Sequence, residues 1–430
     1  MIKKSFLRIK NDKLVRGSFT LLIAIGIFNL FGFLFHTIMA RMLSTADYGV
    51  FASLMAIIFI LGIPSEAIQT WMSRIVSRNK NNEIVRGILE YAIKKYFKIS
   101  IIIVGIGALS TIILSEVLQI PSALIIISIA ILFALFLIPL TRGIMQGEKD
   151  FKNLGLSMII EATLKLLIAL TLVKYLNLGV YGAMLGVIIT MILTLYFSFK
   201  QIRSVGIRKI ALSEVVKSKA ETYNKHNSNT NENTPIWIIM STILIFFSMD
   251  ILVAKSIFTA EIAGQYAVIS IIGKIIFFAS NSVSKAMFPM SSEDHNKEKR
   301  NLKIIKKSLL MTMIIIILGL GAVALFPQTI VSLLFGNNYV ESAGILLATA
   351  ISFSLLSLTN LFLLHAISTN LTSRYSYILI IFPILQIIIL PLATTLKDFS
   401  IALLLLNTLL LAAAAIIWIA RVLNKYKSDK

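Results

Sequence analysis

Five ionisable side chains lie inside long apolar runs of this 430-residue sequence and are its best candidates for chemistry: Glu66, Glu161, Lys165, Asp250 and Lys274. A charged group in hydrocarbon is costly, so such residues usually face a cavity or pair with one another. A carboxylate in that setting can take up H⁺ or Na⁺, and an ammonium group can hold an anion. We therefore expect ion and anion binding at these positions.

Lys274 and Asp250 lie in neighbouring apolar runs. Lys274, in I-I-G-K-I-I-F-F, has no acid close by in the sequence, so we predict that it is a substrate-binding cation in a cavity. Asp250, in F-F-S-M-D-I-L-V, either binds H⁺ or Na⁺ as a coupling ion or partners Lys274 or Lys255. Glu66 follows Pro64 by two residues, where a broken helix frees carbonyl groups, and it is a further candidate for ion coupling.

Glu161 and Lys165 are four residues apart, so on a helix they share one face and can pair. Either the pair neutralises itself and has a structural role, or Glu161 couples an ion and Lys165 is a second substrate-binding cation. Arg41 and Arg74 fall near opposite ends of neighbouring apolar runs. They are either further substrate-binding cations or interfacial residues.

Signatures of soluble enzymes are missing from the sequence. It has no Walker-type phosphate loop, no HExxH and no GxSxG, and its zero cysteines exclude disulfides and thiol catalysis. His36 and His365 are lone residues in apolar runs, whereas His226 and His295 lie in polar stretches. We predict that the chain is not an enzyme and holds no metal or cofactor other than a coupling H⁺ or Na⁺.

The composition predicts an integral membrane protein. Hydrophobic residues make up 57% of the chain and charged residues 14%, whereas about a quarter of the residues of soluble domains are charged. A helix needs about 20 apolar residues to cross a bilayer, and on that basis we predict an all-α protein with twelve transmembrane helices. The predicted spans are 18–40, 47–72, 98–118, 122–146, 153–173, 179–199, 235–256, 262–288, 307–333, 342–366, 375–395 and 399–420.

The basic residues predict the orientation of these spans. When basic residues within four positions of a span end are counted with the adjoining loop, 35 of the 41 Lys and Arg residues lie in the N-terminus, the C-terminus and the loops after even-numbered spans, and only 4 lie in the loops after odd-numbered spans. Cytoplasmic loops carry such an excess, so we predict a multi-pass protein of the cytoplasmic (inner) membrane with both termini in the cytoplasm. Anionic inner-leaflet lipid explains the net charge of +21, and no nucleic acid is needed.

A short motif recurs half a chain length later. The segment R-M-L-S-T-A-D-Y-G-V-F at 41–51 is echoed by F-T-A-E-I-A-G-Q-Y at 258–266, and Gly49 corresponds to Gly264. Such an echo indicates two copies of one unit. A polar, low-complexity stretch that cannot bury a core separates six spans from six. We predict a cytoplasmic tail at 1–16, an N-lobe of six helices at 17–202, a flexible linker at 203–234, a C-lobe of six helices at 235–422 and a cytoplasmic tail at 423–430.

Three segments resemble a known family. The run A-R-M-L-S-T-A-D-Y-G-V-F-A-S-L, after a basic N-terminus and an apolar first helix, resembles the polysaccharide (O-antigen, teichoic acid) flippases of the multidrug/oligosaccharidyl-lipid/polysaccharide (MOP) exporter superfamily. The segment T-R-G-I-M-Q-G-E-K-D-F at 141–151 is similar to the end of that family's fourth span. Asp250 followed by G-Q-Y at 264–266 is similar to the start of its second half.

The resemblance implies a MATE/MOP-like pseudo-repeat, with two six-helix lobes around a central cavity that works by alternating access. It implies movement of an undecaprenyl-pyrophosphate-linked oligosaccharide from the inner to the outer leaflet. Because no ATPase motif is present, an ion gradient or the membrane potential must drive the process. The implied partners are the lipid-linked oligosaccharide, membrane lipids, and a glycan polymerase or other envelope-assembly proteins.

Two rival functions remain open at the level of sequence. An H⁺/Na⁺-coupled multidrug (MATE-like) antiporter of the same superfamily would use Asp250 or Glu66 as its ion site. A membrane enzyme, such as a glycan polymerase or ligase, would need long external loops with catalytic side chains, whereas the predicted external loops are short.

Overall fold

The computed structural model describes residues 13–78, 82–204, 230–292, 298–369 and 374–428. Within these ranges every regular element is helical. The first half contains α1 Lys13–Met42, α2 Thr45–Leu61, α3 Ile63–Arg78, α4 Asn82–Leu118, α5 Ser122–Ala130, α6 Leu132–Gly147, α7 Phe151–Lys174 and α8 Gly179–Ser204. The second half contains α9 Thr230–Ile257, α10 Ala260–Ser292, α11 Glu298–Leu325, α12 Pro327–Phe335, α13 Leu346–Ser368, α14 Ile381–Ile389 and α15 Leu396–Ser428, with 3₁₀ segments at Asn337–Ile345, Arg374–Ile380 and Leu390–Leu392.

Eleven of the described helical segments are long and apolar enough to cross a membrane. A shorter apolar segment, Tyr377–Leu392, takes the place of the predicted span 375–395. The prediction of an all-α membrane protein with about twelve spans is therefore confirmed. The predicted span 307–333 is wrong at its end: α11 stops at Leu325, because the backbone turns at Phe326 and Pro327 begins the short helix α12.

The predicted second span is two helices. The helix α2 ends at Leu61 and α3 begins at Ile63. Pro64 has no N–H to continue the hydrogen-bond ladder, but it fits the first turn of a new helix. The Ser65 N–H donates to the Gly62 carbonyl at 2.9 Å across this break, and the Ser65 hydroxyl donates to the Leu135 carbonyl of α6 at 2.7 Å. The Ser65 side chain at this break therefore links α3 to α6.

Polar capping residues set the starts of several helices. The Ser44 hydroxyl accepts from the Asp47 N–H at 3.1 Å, which caps the start of α2, and it donates to the Asp47 carboxylate at 2.9 Å. Thr395 and Asp398 repeat this arrangement at the start of α15. Asp150 accepts from the Asn153 N–H at 3.2 Å and begins α7.

The helices pack into two units. The first contains α1 and α3 to α8, and the second contains α2 and α9 to α15, with the chain changing units at Leu43, Leu61 and Thr230. The division of the chain into six spans and six at the predicted boundaries stays a prediction. Residues 205–229, which form most of the predicted linker, lie outside the described residues, as do 1–12 and 429–430 of the predicted tails.

In the second unit, the two copies of the repeated motif lie against each other. The helices α2 and α10 approach near their N-termini at Gly49 and Gly264. A methyl group added to Gly49 would lie 2.8 Å from the Gly264 backbone nitrogen and 2.9 Å from the Ala260 carbonyl oxygen. Both positions therefore require glycine for the observed backbone approach.

Candidate functional site

The second unit contains a buried ion pair between α9 and α10. One carboxylate oxygen of Asp250 accepts from the Lys274 ammonium group at 2.9 Å. The other oxygen accepts from the Tyr266 hydroxyl at 3.0 Å and the Ser270 hydroxyl at 2.5 Å. Asp250 is fully buried and Lys274 is 4% exposed. The carboxylate therefore has three donors and no contact with solvent.

Helical spacing explains why these donors converge. Tyr266, Ser270 and Lys274 follow one another at intervals of four residues, so α10 presents them on one face. That face contacts α9 at Asp250. At the start of α10 the Thr259 hydroxyl accepts from the Ile262 N–H at 3.4 Å. This cap fixes the residue at which the helix begins.

Two aromatic rings complete the surroundings of Lys274. Its nitrogen lies 4.8 Å from the ring centre of Phe247 and 5.0 Å from that of Phe353. Rings at this distance attract an ammonium group through their quadrupole. The predicted pairing of Asp250 with Lys274 is present, and a role of Asp250 in ion coupling stays a prediction. The predicted role of Lys274 in substrate binding stays a prediction.

Lys255, the other predicted partner of Asp250, is not part of this pair. It lies near the end of α9 and is 1% exposed. Its amino group has no hydrogen-bond partner among the residues that the structure describes. Lys255 is therefore a second buried basic group in this unit. Burial of an amine without a hydrogen-bond partner is costly.

The first unit contains a different cluster, between α6 and α7. The Arg142 guanidinium forms an ion pair with Glu161 at 2.7 Å. Its Nε donates to the Ser157 hydroxyl at 3.1 Å. The two charged side chains are 13% and 9% exposed. Ser157 and Glu161 are four residues apart on α7, so one planar guanidinium reaches both.

The expected pair of Glu161 with Lys165 is not formed. Glu161 pairs with Arg142, and the Lys165 nitrogen lies 5.2 Å from the ring centre of Phe35 and 5.8 Å from that of Phe28, both on α1. Spacing along α7 allows both arrangements, but the guanidinium on α6 offers two directed donors to the carboxylate. Lys165 is half-buried, and its amine lies beside these two aromatic rings.

Sequence reasoning did not single out Arg142, the partner of Glu161. It lies four residues before the end of the predicted span 122–146 and is counted there with the basic loop that follows, whereas in the structure it lies within α6, which ends at Gly147. The signal that could have found it is the glycine spacing in T-R-G-I-M-Q-G. A methyl group on Gly143 would lie 2.7 Å from the Gln69 carbonyl oxygen, so α3 packs closely on this side of α6. Arg142 faces α7 instead.

The remaining candidates are not brought together with either cluster by any described contact. Arg41 lies in the last turn of α1 and Glu66 in the first turn of α3, and both are exposed. Arg74 lies in α3, and its side chain is outside the described part of the structure.

His365 accepts at Nδ1 from the Trp418 indole N–H at 3.0 Å. Among the described residues, no three His, Asp or Glu side chains converge as a metal site requires.

Comparisons with known proteins were made for the whole chain. The family described as polysaccharide biosynthesis protein matches residues 14–295. An uncharacterised membrane protein of Methanocaldococcus jannaschii is 25% identical over 374 residues, which cover 84% of this chain and 86% of that protein.

Solved structures give the same architecture. An inward-facing multidrug resistance MATE family transporter of the MOP superfamily matches with a TM-score of 0.70 at 14% identity, over 95% of this chain and 100% of the other. The lipid II flippase MurJ, in an inward closed conformation, matches with a TM-score of 0.69 at 14% identity, over 94% and 90%. A MOP superfamily transporter from Pyrococcus furiosus matches with a TM-score of 0.57 at 15% identity, over 97% and 96%. At these identities the likenesses establish the fold.

Proposed function

Because the chain belongs to the polysaccharide biosynthesis protein family, we propose that it is a flippase for undecaprenyl-pyrophosphate-linked oligosaccharide. The sequence resemblance to the MOP superfamily is confirmed by this family and by the fold. The flippase works by alternating access and carries the lipid-linked glycan from the inner to the outer leaflet of the cytoplasmic membrane. It has no catalytic activity of its own.

The observation that carries this proposal is the excess positive charge of the cluster in the first unit. Arg142 and Lys165 are two basic groups beside one carboxylate, that of Glu161. The Lys165 amine has aromatic neighbours and no carboxylate within salt-bridge distance among the described residues. A pyrophosphate group needs such cations, since charge-assisted contacts to phosphate oxygens are strong in surroundings of low polarity. Lys165 is therefore the first-ranked substrate ligand.

The other predicted cations rank below Lys165. Lys274 is already neutralised by Asp250, so it would bind pyrophosphate only at the expense of a buried pair. Arg41 and Arg74 stay candidates for the substrate path. The distribution of Lys and Arg supports a cytoplasmic position for both termini, and a glycan polymerase or another envelope-assembly protein is the expected partner.

The second candidate function is the H⁺/Na⁺-coupled multidrug antiporter, which the structural match to a MATE transporter favours. It requires a carboxylate that is open to the coupling ion. Asp250 does not meet this requirement, because both of its oxygens already accept from protein donors. Glu66 and Glu161 would have to serve instead, and Glu161 pairs with Arg142. Glu66 is exposed and stays open to that role. The flippase ranks first because the family match is to polysaccharide biosynthesis proteins, and it is driven by an H⁺ or Na⁺ gradient or by the membrane potential.

The test uses a deletion strain and quantifies undecaprenyl-pyrophosphate-linked oligosaccharide in extracted lipid. We expect the lipid-linked glycan to accumulate in the deletion strain and to be cleared by the wild-type chain. Lys165→Met should fail to clear it, whereas Lys165→Arg should retain part of the activity. The matched control is Lys174→Met, which removes an exposed lysine from the same helix beside Tyr175.

Two results would contradict the proposal. If no lipid-linked glycan accumulates and the surface glycan is normal, the chain is not a polysaccharide flippase, and drug efflux becomes the leading function. If Lys165→Met clears the glycan as well as Lys174→Met does, Lys165 is not a substrate ligand. The role of Lys274 is tested separately with the neutral double variant Asp250→Asn/Lys274→Met, which removes the ammonium group without leaving a carboxylate unpaired.

A further inference from the structure

The helices α4 and α11 have largely exposed apolar faces. Within an apolar window of 18 residues in their candidate spans, Gly87–Leu118 and Asn301–Leu325, 11% and 22% of the residues are buried, the two smallest shares among the eleven spans. Large apolar side chains on these faces reach 80% exposure at Leu109 and 69% at Leu318. In a membrane such faces contact lipid tails.

Each of these lipid-facing surfaces ends in three exposed lysines. On α4 they are Lys94, Lys95 and Lys98, and on α11 they are Lys303, Lys306 and Lys307. Spacings of three and four residues continue each set into the apolar surface, through Ile102 on α4 and through Leu310 on α11. The lysines and the exposed apolar side chains therefore lie on one continuous face of each helix.

The depth of these lysines matches the phosphate layer of a bilayer. Lys98 precedes Leu118, the last residue of α4, by 20 positions, and Lys306 precedes Leu325, the last residue of α11, by 19. At about 1.5 Å per residue these distances are roughly 30 Å, which is the thickness of the hydrocarbon core. An ammonium group there is at the level of lipid phosphates while its stem stays beside the tails.

The six ammonium groups form no ion pair with another described residue. The nearest acidic residues along the chain are Glu90, a half-buried residue one turn before Lys94, and Glu298, five positions before Lys303. Each face thus carries a net positive charge next to exposed apolar side chains. Charge complementarity selects an anionic headgroup.

We propose that the two faces, Lys94/Lys95/Lys98 on α4 and Lys303/Lys306/Lys307 on α11, are binding sites for anionic phospholipid. The diacyl tails lie along the apolar part of each face, and the phosphate group contacts the lysines. The lipid is a bound partner of the protein and not the transported substrate, so the inference is independent of the proposed function. The same arrangement on both helices gives one site in each unit.

The test is native mass spectrometry of the purified full-length chain titrated with phosphatidylglycerol or phosphatidylcholine. Replacing the three α4 lysines by Gln should weaken phosphatidylglycerol binding at that site by at least about tenfold, since a lysine near the surface contributes about 1 kcal/mol. The α11 triple variant should behave alike, and phosphatidylcholine binding should not change. The matched control is Lys149→Gln/Lys152→Gln/Lys200→Gln, which removes three exposed lysines elsewhere in the first unit.

Two outcomes would overturn the proposal. Equal phosphatidylglycerol binding in wild type and both triple variants would show that the lysines hold no lipid. An equal loss in the control triple would show a diffuse effect of charge and no defined site. If a Gln triple fails to purify, the Lys→Arg triple and the single variants Lys98→Gln and Lys307→Gln take its place; the Arg variant should keep the binding and the single variants should weaken it.

Discussion

Gly49 on α2 and Gly264 on α10, the corresponding glycines of the two repeated motifs, lie in direct backbone contact. A methyl group on Gly49 would lie 3.0 Å from the Gly264 Cα, and one on Gly264 would overlap the Thr45 carbonyl group. The repeated sequence is thus a pair of surfaces that fit each other. The two glycines that correspond in the sequence therefore contact each other in the structure.

We predict that Gly49→Ala and Gly264→Ala force α2 and α10 apart at this contact. The atoms they meet are backbone atoms that cannot rotate away, so overpacking should cost about 1–3 kcal/mol, with Gly264→Ala the more severe. Thermal unfolding of the purified protein measures this cost, and clearance of lipid-linked glycan measures the effect on function. Gly26→Ala is the control, because a methyl group at Gly26 meets nothing within 4 Å. Equal unfolding midpoints in all three variants would contradict the prediction.

The second prediction concerns the buried pair Asp250–Lys274. Lys274→Met should destabilise the protein by about 3–5 kcal/mol, because it leaves a carboxylate buried with hydroxyl donors alone. The double variant Asp250→Asn/Lys274→Met should recover most of this loss, since no charge then remains unpaired. A double-mutant cycle of unfolding free energies gives the coupling. Additive effects of the two changes would show that the pair contributes nothing.

The third prediction separates the two partners of Arg142. Ser157→Ala removes one hydrogen bond and should cost about 1 kcal/mol. Arg142→Met leaves the Glu161 carboxylate buried and unpaired and should cost several times more. Adding Glu161→Gln to Arg142→Met should restore stability in unfolding measurements. The interpretation fails if Ser157→Ala is as damaging as Arg142→Met.

The fourth prediction concerns pH. Glu148 lies just beyond α6, outside the membrane-spanning segment, and burial together with the nearby Asp150 carboxylate raises the pKa of its side chain. The unfolded chain therefore ionises Glu148 first as pH rises, so ionisation favours unfolding. Glu148→Gln should raise the unfolding midpoint near pH 7 and have no effect near pH 3, where both states are protonated. Glu116→Gln, at an exposed carboxylate, is the control.

The sequence predicted the elements that depend on local composition. The apolar runs located the membrane helices, and Ser44 with Asp47 marked the start of α2, because capping and hydropathy act within a few residues. Pro64 and Pro327 broke helices where their missing N–H would leave a carbonyl unpaired. Hydropathy alone placed one predicted span across each of these breaks.

Contacts between helices were harder to predict. The sequence offers two partners for Asp250, Lys274 and Lys255, because spacing along a helix does not show which side chain faces the carboxylate. The structure shows that Lys274 is the partner. The spacing of four residues predicts a pair of Glu161 with Lys165 on the same helix, whereas the structure pairs Glu161 with Arg142 on α6. The contact of Gly49 with Gly264 was visible only as a repeat, because the sequence gives no measure of the distance between two copies.

The Asp250–Lys274 pair has an electrical consequence. The two opposite charges are 2.9 Å apart on helices of the same unit, so a movement that carries both through the membrane field transfers no net charge. One uncompensated elementary charge would instead exchange about 2.3 kcal/mol with each 100 mV of potential. Removal of the Lys274 ammonium group would leave Asp250 either as a mobile charge or as a proton acceptor. A single substitution would thus turn an electrically silent pair into a voltage- or proton-sensitive group.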